Sequence, residues 1–370
     1  MPVVTFDYGQ RLERAGRLAA DRGLDALMVA SGPDLLYLAG YDAPPLERLT
    51  ALVVRADADP ILLVPALERP RAETAPVAGS IEIVSWPDGQ DPYQTAGRLL
   101  GSGSDIKVGV SDGMWAVHVL GVQSAAPQAN LVPASRILSP LRARKESGEI
   151  ELLRRAGRGA DEAFNRIVRE SFQGHDEQEV ARSLARLLEE NGHDSVAFTI
   201  VGAGPNGASP HHEPGDRGIR VGDSLVMDFG GRVGGYCSDI TRTVSVGQPS
   251  EELREVHEIV RQAQEAAVLA CGPGVPAEEV DRAARTVIEE AGYGEAFIHR
   301  TGHGIGLEEH EEPYIVAGNR EGLAVGNCFS IEPGIYLTGR FGVRIEDIVA
   351  ITEDGTVRLN HATRELLVVE

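Results

Sequence analysis

The sequence predicts an α+β chain in two parts: a smaller α/β domain over residues 1–138, then a larger domain over 139–370 with a pseudo-two-fold internal repeat. Three observations predict it. The first ~135 residues alternate short apolar runs with amphipathic stretches. Pro133, Pro140 and the basic run at 142–145 then break that pattern. Beyond the break, one series of motifs occurs twice.

In the first part, apolar runs at 25–30, 51–55, 61–64, 81–85 and 107–110 read as strands, and 9–22 and 92–100 as helices. No cluster of reactive side chains stands out there, and its one histidine, His118, reads as a surface or packing residue. After the boundary a long helix is expected over 146–171, from the spacing of Ile150, Leu153, Ala160, Phe164, Ile167 and Val168. A second is expected over 177–190, stopped by Asn191-Gly192.

The repeat is the most informative feature. Glu179-Val180-Ala181-Arg182 recurs as Glu279-Val280-Asp281-Arg282, and Asn191-Gly192 as Ala291-Gly292. Val221-Gly222-Asp223, continuing to Met227-Asp228-Phe229-Gly230, recurs as Val325-Gly326-Asn327, continuing to Ile331-Glu332-Pro333-Gly334. Each half thus reads helix, helix, then a strand ending in a carboxylate and a turn. Asp228 and Glu332 are equivalent in such a pair of halves. A hairpin centred near Val233 and Gly234 sets Asp228 opposite Asp239, and one centred on Gly339 sets Glu332 opposite Glu346. Four carboxylates then share one sheet face. Like charges that close resist ionising, and bound divalent metal is the natural remedy.

Composition narrows the partners. Fifty-six acidic against 35 basic residues give a net charge of −21. Such a field repels phosphate backbones and anionic lipid, so neither nucleic acid nor a membrane surface is expected as a partner. Cys237, Cys271 and Cys328 are few, odd in number and without C-x-x-C spacing, which fits a reducing, cytoplasmic setting. Asp7, Arg11 and Glu13 interrupt the N-terminal stretch before an apolar signal core forms, so no export signal is expected. No run approaches the roughly 18 apolar residues of a membrane helix.

A glycine-rich stretch, Thr301-Gly302-His303-Gly304-Ile305-Gly306, carries one histidine, with His299 just before it and His310 just after. One imidazole with four carboxylates is a mixed nitrogen and oxygen set, suited to Mn, Co, Zn or Fe(II) more than to Ca or Mg. That number of groups can supply two bridges and three terminal ligands to a metal pair. Gly202, Gly204 and Gly207 match G-x-G-x-x-G, but Pro205 and Pro210 do not open a helix, so the stretch reads as a turn leading to His211.

These motifs, in this order, resemble the pita-bread metallopeptidases: methionine aminopeptidase, aminopeptidase P and prolidase. The stretches carrying the resemblance are Ser209-Pro210-His211, Gly222-Asp223, Met227-Asp228-Phe229-Gly230, Ser238-Asp239-Ile240-Thr241-Arg242-Thr243, residues 299–310, Ile331-Glu332-Pro333-Gly334 and Gly342-Val343-Arg344-Ile345-Glu346-Asp347. The first domain is similar to the N-terminal domain of prolidase, aminopeptidase P and creatinase. The resemblance implies a pita-bread catalytic domain and a dinuclear-metal exopeptidase, an Xaa-Pro dipeptidase or aminopeptidase, acting on small peptides with proline second. It implies Asp228, Asp239, His303, Glu332 and Glu346 as ligands of two divalent ions, manganese first, with cobalt, zinc or iron as alternatives. Asp239 and Glu346 would bridge, Asp228 would complete one ion, and His303 with Glu332 the other. Metal-bound hydroxide would attack the carbonyl before proline. Glu332 would carry the proton, His310 would meet the oxyanion, His211 would lie beside the scissile bond, and His299 would line the proline pocket. Arg344 falls on the substrate side and orients the bridging carboxylates from behind. A homodimer is expected by the same resemblance.

Blander readings compete residue by residue. Asp228 and Asp239 alone suit turns, and His303 alone suits a hydrogen-bonded loop. Jointly those accounts need separate coincidences. His175, His193, His257 and His361 read as surface residues, Cys237 as packing, and His212 takes no assigned role. Competing functions are a creatinase-like amidinohydrolase or lyase on the same scaffold, and a non-catalytic peptide-binding module. Retention of all five ligand positions argues against a metal-free enzyme and against a binding module, but not against a metal-using lyase.

Overall fold

The computed structural model describes residues 4–101 and 103–370. It divides into two compact units, the first ending at Arg142 and the second starting at Ala143. In the first, six strands form one sheet in the spatial order Glu82–Trp86, Ala58–Pro65, Ala51–Arg55, Ala26–Ala30, Ile106–Val110, Ala129–Pro133. Ala51–Arg55 is antiparallel to both neighbours, and the remaining pairs are parallel. Helix Tyr8–Asp21 begins where the Asp7 carboxylate accepts from Gln10 N at 2.9 Å, and it buries Leu12, Ala15 and Ala19. Helix Pro92–Leu99 follows the same rule, with Asp91 as its cap and proline at its first position.

The sequence reading passed over helix Ala116–Ala125, which is apolar nearly all round and so lacks the polar face that signals a period of 3.6. His118 lies in that helix, buried between Tyr93 Oη at 3.1 Å and the Leu46 carbonyl at 3.3 Å, a packing role. Pro140, read as part of a break, sits inside helix Ser135–Ala143.

The second unit contains the repeat as two half-domains. Helices Ser147–Ile167 and Glu177–Glu190 belong to the first half, with strands Ser195–Ala203, Ser224–Val233 and Ile240–Val246. Helices Glu251–Ala270 and Ala277–Glu290 belong to the second, with a sheet in the order Glu311–Ile315, Gly302–Gly304, Cys328–Ile331, Asp347–Thr352, Gly355–Arg358. A ribbon of Gly334–Leu337 and Phe341–Arg344 completes that half. Asp176 opens the Glu177–Glu190 helix with a reciprocal cap: its carboxylate accepts from Glu179 N at 2.8 Å, and the Glu179 carboxylate accepts from Asp176 N at 3.0 Å. Gly192 and Gly292 end equivalent helices at φ of 98° and 86°, the left-handed region that glycine enters without strain.

Each half has its own core. Phe164, Leu184, Leu187, Met227, Phe229 and Ile240 pack together in the first. Val256, Val280, Ile288, Ile331, Val343 and Ile345 pack together in the second. Strand alternation therefore turns Asp228, Thr241, Glu332, Arg344 and Glu346 to the opposite face. The halves are joined there: Glu346 N donates to Thr241 O at 3.0 Å, and Thr243 Oγ1 donates to Arg344 O at 3.0 Å.

Two expectations change. In the first hairpin Asp228 pairs with Thr241, not Asp239. The offset is two residues, and because side chains alternate, an even slip keeps Asp239 on the same face. In the second, the ladder pairs Ile331 with Asp347 and Gly334 with Arg344, which brackets Glu332 opposite Glu346. His193 and His257, read as surface residues, are buried. His193 follows a helix end that the strand Ser224–Val233 covers, and Gly159 and Gly231 leave space for its ring. His175 and His361 are exposed.

Candidate metal centre

Strands and the residues bordering them deliver the site: Asp228 and His303 lie within strands, and Asp239, Glu332 and Glu346 lie directly beside strand ends. His303 sits between Gly302 and Gly304 in a strand wedged against two others. A Cβ at Gly302 would collide with the Ser330 carbonyl, and one at Gly304 with the Glu312 carbonyl, so only glycine lets the backbone bring His303 this far in. His303 Nδ1 lies 3.2 Å from the Gly304 carbonyl. Donation there leaves the Nε2 lone pair facing the carboxylates. Nε2 is 3.2 Å from Glu332 Oε1, 3.8 Å from Asp239 Oδ2 and 4.0 Å from Glu346 Oε1. Among the described residues, Asp239, His303 and Glu346 form a group whose donor atoms lie within 4.8 Å of one another. Asp228 borders it across the hairpin, with Oδ2 accepting from Arg344 Nη2 at 2.6 Å.

Each of three carboxylates has an oxygen with no partner. Asp228 Oδ1, Asp239 Oδ1 and Glu346 Oε1 are buried without a hydrogen bond. A buried carboxylate oxygen left so is costly. The electrostatics agree. Burial, reinforced by Glu346, Asp228 and Glu332, holds the Asp239 carboxyl well above its usual range. Burial, then Glu332 and Asp228, does the same for Glu346. Glu332 is pushed to about 7, chiefly by burial, with Arg344 opposing. Burial, then His310, depresses the His303 imidazole to about 3, so the ring is neutral and fit to ligate. Unpartnered carboxylate oxygens converging on a neutral imidazole lone pair fit divalent cations by donor type, and a bound cation would favour the ionised carboxylates that burial opposes.

Arg344 is engaged on three sides. Besides Asp228 it donates to Thr241 Oγ1 at 3.1 Å and to Tyr336 Oη at 2.8 Å, and it is 3% exposed. Thr241 Oγ1 in turn donates to Glu346 Oε2 at 2.7 Å. Arg344 thus holds Asp228 directly and Glu346 through Thr241. His299 is half-buried, with Nδ1 2.7 Å from the Arg300 carbonyl and Nε2 2.8 Å from Tyr336 Oη. Both nitrogens are occupied, so His299 offers the pocket a ring rather than a donor. His310 stands edge-on to His303, ring centroids 4.1 Å apart, and is exposed. His211 is exposed at a turn.

Thr241, Ser330, Tyr336 and Asp281 were given no role from sequence. Ser330 Oγ accepts from His303 N at 3.0 Å and donates to Glu332 Oε1 at 3.1 Å. Asp281 accepts from Thr301 Oγ1 at 2.8 Å and from Arg285, which also holds the His299 carbonyl at 3.0 Å. Thr241 and Ser330 each stand two residues from an acidic candidate on one strand face, a signal that alternation alone supplies.

The sequence profile of metallopeptidase family M24 matches residues 151–353, and that of the creatinase/prolidase N-terminal domain matches 11–144. A probable dipeptidase of Mycobacterium tuberculosis is 46% identical over 98% of this chain and 96% of its own. An Xaa-Pro dipeptidase of Lactobacillus delbrueckii subsp. lactis is 36% identical over 97% of this chain and 98% of its own. The crystal structure of a prolidase from Thermococcus sibiricus superposes with a TM-score of 0.94 at 40% identity, covering 99% of this chain and 100% of that one.

Proposed function

Because this chain belongs to metallopeptidase family M24, with a creatinase/prolidase N-terminal domain ahead of the catalytic one, we propose that it is an exopeptidase hydrolysing the Xaa-Pro bond of dipeptides or short peptides. The observation that carries this reading is the set of buried, unpartnered carboxylate oxygens around His303. The relatives named Xaa-Pro dipeptidase and prolidase support the substrate class.

Two divalent cations fit the set, manganese first. Asp228, Asp239, His303, Glu332 and Glu346 are the residues that would hold them. Bound there, they supply Lewis acidity that makes water nucleophilic near neutral pH and polarises a carbonyl. The protein's own groups do the rest. Glu332, hydrogen-bonded by Ser330, takes the proton from the attacking water and returns it to the leaving proline nitrogen. His310, packed against His303, donates to the developing oxyanion, with His211 beside the scissile bond. Arg344 and Thr241 hold Asp228 and Glu346 in register. Among the described residues no helix is long and apolar enough to cross a membrane, and all three cysteines are free, which fits a reducing cytoplasm. A homodimer belongs to the same reading.

The test is hydrolysis of Ala-Pro, Ala-Ala and Ala-Pro-Ala by manganese-loaded protein, with metal content measured on the same preparation. Preferred cleavage of Ala-Pro at about two metal equivalents supports the proposal. Absence of Xaa-Pro cleavage by metal-replete protein refutes it.

A further inference from the structure

We propose that Glu177 and His212 form a clamp that positions His211 over the metal centre, an inference that rests on the peptidase reading above. His211 occupies the third place of a tight turn, Ser209-Pro210-His211-His212, closed by His212 N donating to Ser209 O at 3.2 Å. Proline at the second place fixes the turn's φ. The next side chain anchors it: His212 Nε2 meets Glu177 Oε2 at 2.7 Å. Glu177 is fully buried in the first turn of helix Glu177–Glu190. Its other contacts reach both ends of the same loop: Oε1 accepts from Ala203 N at 2.8 Å and Asn206 Nδ2 at 2.9 Å, and Oε2 also accepts from Gly215 N at 3.0 Å. One carboxylate therefore ties residues 203–215 to a rigid helix at four points. Burial alone would raise its pKa, but these donors outweigh burial and hold it below the usual range, so it stays anionic.

The repeat shows that this is not a requirement of the fold. The residue equivalent to Glu177 in the second half is Ala277, and helix Ala277–Glu290 packs without a charge there. The second half holds its own histidine-bearing loop by Asp281, whose counterpart in the first is Ala181. Each half thus places one buried carboxylate on its inner helix, at different positions, and each grips a loop that carries site histidines. Burying an anion is a poor way to add stability, whereas fixing a loop through several charge-assisted hydrogen bonds is what a carboxylate does well. The held loop lies against the site: Gly207 packs on Gly342 so closely that a Cβ at Gly342 would collide with the Gly207 carbonyl, and Gly342 is on the strand Phe341–Arg344 that carries Arg344.

The experiment is a double-mutant cycle on the full chain, using the best dipeptide of the panel, with metal content measured throughout. Glu177→Gln is expected to lower kcat by roughly 10–100-fold at unchanged metal content, the scale of a misplaced catalytic group. In a His211→Ala background the same substitution should change kcat by less than about twofold, because the clamp acts through His211. His212→Leu should match Glu177→Gln, while His212→Gln, whose amide still donates to Glu177, should recover most of the rate. These partly exposed variants keep the test open if Glu177→Gln fails to fold. Independent, multiplying losses in the cycle, metal loss, or an unchanged kcat overturn the clamp and leave the peptidase assignment standing. A wild-type protein with no dipeptide hydrolysis overturns both.

Discussion

Asp239 Oδ1 is a buried carboxylate oxygen with no hydrogen bond, set among three other carboxylates. In the proposed assignment Asp239 would be shared by both cations, so its loss would leave each under-coordinated. Asp239→Ala is expected to abolish turnover and bring bound metal, measured by elemental analysis, close to zero. A mutant holding two equivalents and full activity would remove Asp239 from the ligand set. His310 differs in kind. It touches His303 through its ring and is exposed, and it is not in the group whose donor atoms converge for a metal. His310→Ala should lower kcat by roughly 10²–10³ with metal content intact, the cost of one oxyanion donor. Metal loss in that variant would move it among the ligands.

Strand Ile240–Val246 joins the halves, and Thr241 is its contact at the site. Its hydroxyl accepts from Arg344 and donates to Glu346, so one buried group links two carboxylates through a guanidinium. Thr241→Val keeps the shape and removes that link. It should destabilise the fold by about 1–3 kcal/mol, the cost of stranding buried partners, and weaken cation binding severalfold. Urea unfolding and cation titration read the two effects. Unchanged affinity would show that Glu346 needs no such orientation. Thr241 also marks what sequence conveys at this scale. The duplicated motifs and strand alternation identify the acidic face, because a period of two leaves a trace in sequence. The hairpin offset that pairs Asp228 with Thr241 leaves none, since Gly230, Gly231, Gly234 and Gly235 permit several turn geometries. Helix Ala116–Ala125 leaves no periodic trace in the sequence because it lacks a polar stripe. His193 and His257 misled because burial beneath a neighbouring strand is decided by tertiary packing, not by local polarity.

The catalytic unit as a whole holds its halves together partly through His257. The ring belongs to the second half, is 3% exposed, and lies close enough to the Thr243 backbone in the first to interact with it electrostatically. Burial is the main cause that depresses it to about 4; Arg261 and Arg242 add to this, while Glu258 and the Thr243 backbone oppose it. In the unfolded chain the same imidazole titrates near 6.5. Above that pH neither state is protonated, and the residue contributes no pH dependence. As pH falls from about 6.5 to about 4 the unfolded chain binds a proton that the folded one refuses, so stability declines across that window and levels off below it. The shift corresponds to roughly 3 kcal/mol. With chelator present, so that cation release does not intrude, wild type should lose about that much more stability than His257→Gln between pH 7 and pH 4. Urea midpoints at several pH values measure the difference. Parallel curves for the two proteins would show that His257 takes up its proton in the folded state as readily as in the unfolded one, and that the join between the halves tolerates a charge.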